Sequence, residues 1–64
     1  MTAKLNGTVK KAIEGYAKKM ANAKGNSVLE ASIESRAVAY LNALVDANVI
    51  SVADWSDIHN YINK

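Results

Sequence analysis

The chain has no cysteine, no proline, no phenylalanine, and only three glycines among its 64 residues. Without cysteine it can hold no disulfide framework, no thiolate zinc site, no cysteine nucleophile and no thiol redox motif. That lack agrees with a reducing compartment, and a cytoplasmic location is the expectation. Without proline, and with alanine its commonest residue, nothing forces breaks and the backbone preference is helical. Gly7, Gly15 and Gly25 are too scattered to form a phosphate-binding loop. The unbroken apolar runs fall far short of the roughly 18–20 residues that span a bilayer, and no charged segment leads into an apolar one as in a signal peptide. A membrane role is therefore not expected.

Acidic residues are scarce at one end and basic residues at the other. Residues 1–25 carry six lysines against Glu14, a segment charge of +5. Residues 26–64 carry Arg36 and Lys64 against Glu30, Glu34, Asp46, Asp54 and Asp57, a segment charge of −3. Such a split suits a basic binding face, or two halves that attract each other within one fold or across a dimer.

The length indicates one domain over residues 1–64, in which folding buries only about 60% of the surface exposed by the unfolded chain. Three helical periods follow one another. In the first, Leu5, Val9, Ala12, Ile13, Tyr16, Met20 and Ala23 share a face, opposite Lys4, Lys11, Lys18 and Asn22, with Lys10 and Lys19 on the flanks. Thr2, Asn6 and Thr8 are its candidate N-caps. Gly15 lies on its polar side, either simply tolerated there or allowing close approach of a partner backbone.

Gly25 suits a left-handed turn after this helix, and Ser27 with Glu30 has the spacing of a capping box for the next. The second period buries Leu29, Ile33, Ala37, Tyr40, Leu41 and Leu44, with Val38 and Val45 widening the apolar face to more than half the circumference. Such a helix must touch two neighbours or a partner chain. Asn48 suits a left-handed terminus, and Ser51 with Asp54 opens a third helix presenting Val52, Trp55, Ile58, His59 and Ile62.

The expected architecture is an all-α three-helix bundle over approximately 3–24, 28–47 and 52–63, with the second helix central. Its core is expected to comprise Val9, Ile13, Tyr16, Met20, Leu29, Ile33, Tyr40, Leu41, Leu44, Val49, Ile50, Trp55, Ile58 and Ile62. Trp55 is expected to contribute the largest single burial, on the order of 150–250 Å².

Reactive groups are few. His59 is the only histidine, at the edge of an apolar face one turn from Trp55, a common place for a structural histidine. Asp54 and Asp57 point about 60° apart around their helix, and with His59 they bind a metal only if a loop or another chain completes the site. The second and third helices resemble a helix–turn–helix at the coarsest level. Asp54 and Asp57 would repel a duplex from the third, which has no cation before Lys64, so it is rejected as a recognition helix.

The candidate binding face is Lys4, Lys10, Lys11, Lys18 and Lys19, which can serve as a solvated surface, a phosphate contact or a seat for an acidic protein. It lacks arginine and exposed aromatics, so any nucleic-acid binding would be electrostatic and unspecific. The expectation is thus a non-catalytic protein-interaction module, of regulator or inhibitor type, with neither cofactor nor metal. Its partner would be another protein or a second copy of the chain. An unspecific nucleic-acid binder is the alternative. The size and cysteine-free composition suit a phage or mobile-element accessory protein.

Overall fold

Asn6 begins the first helix: its backbone is extended and its side-chain Oδ1 accepts from the Val9 amide at 2.9 Å. This cap starts α1 (Gly7–Asn22) several residues later than the spacing suggests. The computed structural model describes residues 5–64, so Thr2, the first of the candidate caps, lies outside the described residues. After α1, the Asn26 amide donates to the Ala23 carbonyl at 2.9 Å, and Gly25 has the positive φ of 91° that favours glycine.

The second helix, α2 (Ser27–Asp46), is capped by Asn26, whose Oδ1 accepts from the Leu29 amide at 3.1 Å. The expected capping box from Ser27 to Glu30 therefore does not form: the cap falls one residue earlier, and Leu29, three residues on from Asn26, has no polar group to return a bond. Asparagine and serine cap about equally well, and the turn through Gly25 leaves Asn26, not Ser27, with extended backbone angles. At the other end Asn48 adopts φ 59° as expected. The Val49 amide donates to the Leu44 carbonyl at 2.9 Å and the Asn48 amide to the Val45 carbonyl at 3.0 Å, the two bonds of a Schellman motif. The third helix, α3 (Val52–Ile62), opens on a full capping box, with Ser51 Oγ accepting from the Asp54 amide and Asp54 Oδ2 accepting from the Ser51 amide, each at 3.1 Å.

Each of the three helices packs against the other two, and that is how the broad apolar face of α2 finds its two neighbours. A 20-residue helix rises about 30 Å, so α2 sets the long dimension of a body measuring 33 × 18 × 18 Å. Ile13, Leu41 and Ile58, one from each helix, are the largest fully buried side chains. Val9, Met20, Ala23, Ile33, Ala37, Leu44, Ile50 and Ile62 complete the buried cluster. Among the described residues no polar or charged side chain is buried. Tyr16 and Tyr40 are half-buried and meet between α1 and α2, with ring centroids 5.7 Å apart.

Several expected core residues are not in it. Leu29 is 46% exposed because it occupies the first turn of α2, and burial on this helix begins one turn later at Ile33. Val49 is 44% exposed: it follows the left-handed residue of the Schellman motif, and Ile50 turns inward instead. Trp55 is only half-buried, packed on the rim of the cluster, so it is not the centre of the core. Val52, expected on the inner side of α3, is 75% exposed at the first helical position. Ala23 and Ala37, on the apolar faces of the first two periods, are buried and join the cluster. A Cβ added at Gly15 would meet no atom within 4 Å, so the fold itself does not require glycine there.

Leu41→Ala should cost about 2–5 kcal/mol in chemical denaturation, through lost burial and a residual cavity. Leu29→Ala should cost less than about 1 kcal/mol, and equal losses at the two sites would contradict the packing described. The caps give a second comparison: Asn26→Ala should cost about 1 kcal/mol, whereas Ser27→Ala should change thermal stability little.

Candidate functional site

The lysine face comes from the outer side of α1. Lys10, Lys11, Lys18 and Lys19 are all exposed, and Lys4 lies outside the described residues. Seven residues of helix bring Lys11 and Lys18 onto one line about 10 Å apart, whereas Lys10 and Lys19 sit on opposite flanks. Glu14 is exposed between them and dilutes the charge. Among the described residues these four lysines form no ion pair or hydrogen bond through their side chains. The structure leaves a cationic surface on α1, suited to long-range attraction.

A second feature, which sequence reasoning missed, runs along the seam between α2 and α3. Trp55 Nε1 donates to Asn42 Oδ1 at 2.9 Å. The Trp55 indole stacks on the His59 ring with centroids 4.8 Å apart and planes 16° from parallel. His59 Nε2 in turn donates to Glu34 Oε1 at 2.9 Å, an ion pair when the imidazole is protonated. Asn63 Nδ2 contacts the same Glu34 oxygen at 3.4 Å and donates to the His59 carbonyl at 3.0 Å. Trp55 and His59 are both half-buried, and α3 presents them together because they are one turn apart. The chain of contacts fixes the rotation of α3 against α2. It engages one face and Nε2 of the histidine, so the geometry accounts for His59 as a latch between helices.

Beside this latch lies an open groove of about 380 Å³, lined by Asn42, Val45, Asp46, Val52 and Trp55. Its walls come from the last turns of α2 and the first turn of α3. Val45 and Trp55 are half-buried, whereas Val52 and Asp46 are exposed at the rim. The Asp46 carboxylate makes no hydrogen bond or ion pair among the described residues. It stands in the last turn of α2, which holds no basic residue, against the unfavourable negative end of the helix dipole. The groove thus combines an apolar floor with an unmatched negative rim. A hint of it was present in the sequence, as an aspartate where a helix favours a cation, but its walls required the packing of two helices.

Asp54, Asp57 and His59 do not come together as a metal site; among the described residues no group of three His, Asp or Glu side chains is placed to hold an ion. No helix among the described residues is long and apolar enough to cross a membrane. Compared with protein-family models, with curated proteins and with solved structures, the chain matches none.

The latch can be weighed directly. In a double-mutant cycle, Trp55→Phe and Asn42→Ala should each cost about 1 kcal/mol and together little more than either alone, since both remove the same exposed hydrogen bond. Fully additive losses in urea denaturation would mean that the bond contributes nothing to holding α3 on α2.

Proposed function

We propose that the protein is a small non-catalytic protein-interaction module, of regulator or inhibitor type, acting in the reducing cytoplasm that its lack of cysteine suits. The observation that carries this reading is the distribution of apolar surface. Val49 and Val52 remain outside at the junction of α2 and α3, next to the groove that Val45 and Trp55 line. On a body this small, apolar side chains grouped beside a concavity are what a protein partner covers. At the opposite end of α2, Val28 is 80% exposed beside Leu29, so apolar surface is not confined to one point.

The alternative, an unspecific electrostatic binder of nucleic acid, draws its support from Lys10, Lys11, Lys18 and Lys19, exposed and unpaired among the described residues. It offers no account of the apolar junction, because phosphate contacts need no apolar surface.

Affinity capture from the native host separates the two readings. We expect a stoichiometric protein that survives nuclease treatment and remains bound at about 0.5 M salt, where phosphate contacts have largely dissociated. Replacing Lys10, Lys11, Lys18 and Lys19 together with glutamine should leave the fold intact, since exposed charges usually shift stability by no more than about 0.5 kcal/mol each. Loss of all binding on nuclease treatment would transfer the function to nucleic acid, whereas a nuclease-resistant partner lost in that quadruple variant would be an acidic protein seated on the lysine face.

A further inference from the structure

We infer that the groove between α2 and α3 receives an arginine-bearing amphipathic segment of a partner protein; this rests on the interaction-module reading and names the site and chemistry of its partner. Apolar walls alone would accept any hydrophobic side chain. Three features select a cation with a long apolar stem. Trp55 offers an indole wall, on which a guanidinium packs through its planar face. Val45 and Val52 line the approach and suit the methylene stem, since long basic side chains bury their stems and keep their charge at a polar rim. At that rim stands Asp46, unpaired among the described residues and reinforced by the carbonyl end of α2, with no basic residue of that helix turn to neutralise it. Arginine is favoured over lysine because its flat fork can lie on the indole and still meet a carboxylate through two N–H donors.

The volume, about 380 Å³, is at the lower end of the roughly 300–1,000 Å³ typical of sites for small molecules. A small ligand filling it would leave the rim valines in water. A peptide segment covers them as well, with apolar neighbours of the arginine resting on Val52 and Val49. The lysine face of a second copy fits less well, because it brings no large apolar side chain to the groove.

Trp55 is the only tryptophan, so its emission reports on the groove directly. The probes are capped synthetic helical peptides without aromatic residues, with one leucine face and a polar face of arginine, glutamine or glutamate. Titrated into the full chain, the arginine peptide should shift Trp55 emission saturably and bind about tenfold more tightly than the glutamine peptide. The glutamate peptide should not compete. Amide resonances of Asn42, Val45, Asp46 and Val52 should move, and those of Lys11 and Lys18 should not. Asp46→Asn should weaken the arginine peptide about three- to fivefold and flatten its salt dependence, leaving the glutamine peptide unaffected. Val52→Ser should weaken both.

Equal binding of the arginine and glutamine peptides would overturn the proposal without needing any variant to fold. So would an arginine preference of about tenfold that Asp46→Asn leaves undiminished, or resonance shifts confined to α1. Concentration-dependent dimerisation abolished by Val52→Ser would assign the groove to a second copy instead. A captured host protein indifferent to both substitutions would remove this site while leaving the interaction-module reading in place.

Discussion

The fold depends on one shared centre, to which each helix contributes a fully buried branched side chain: Ile13, Leu41 and Ile58. No disulfide supplements it, and the described residues bury no polar group that could fix the packing by hydrogen bonds. Each such side chain contributes about 1.5–3 kcal/mol on burial, against a net stability for natural domains of about 5–15 kcal/mol. A loss at any one of the three is therefore felt by all of the helices. The caps gain importance for the same reason. Asn6, Asn26 and Ser51 each satisfy an amide that the thin core cannot shelter, and each fixes where its helix begins.

A centre this narrow cannot enclose everything apolar. Trp55 is too large for the gap between three helices and retains a polar N–H that needs a partner, so it lies on the seam with Asn42. Val49 and Val52, at the connection between α2 and α3, extend past the last layer of the core. The groove is a consequence of the same limit: the indole stands on the rim, outside the space between the three helices. The exposed apolar surface thus arises from what the fold has no room to bury.

Local features of this fold were legible in the sequence, and features created between helices were not. The periods of Val9, Ile13 and Met20, or of Ile33, Ala37, Leu41 and Leu44, are properties of single helices and read directly. So do the left-handed turns at Gly25 and Asn48, and the Ser51–Asp54 box. The cap of α2 is missed by one position because adjacent Asn26 and Ser27 are chemically equivalent candidates, and only the path of the turn decides between them. Leu29, Val49 and Val52 satisfy the period but sit where no neighbouring helix extends. The Glu34–His59 contact joins residues 25 apart and the Asn42–Trp55 bond residues 13 apart, separations that carry no periodic signal. The lysine face was readable because exposure opposite an apolar stripe is itself local. The groove was not, because its two walls belong to different helices.

The charge split found in the sequence acquires a different meaning once the helices are placed. Opposite charges on the two halves of the chain suggest internal attraction, yet Lys10, Lys11, Lys18 and Lys19 pair with no acid among the described residues. They point outward from α1, while Asp46 stands at the far end of α2 beside the groove. Screening at physiological ionic strength has a length of about 8 Å, less than half the 18 Å thickness of the molecule. Charges on opposite sides of the molecule are therefore largely screened from each other. The small net charge of +2 conceals two faces of opposite sign, and association is governed by whichever face a partner approaches. The lysines thus take no part in holding the helices together, which falls to the apolar core and to the polar contacts between α2 and α3.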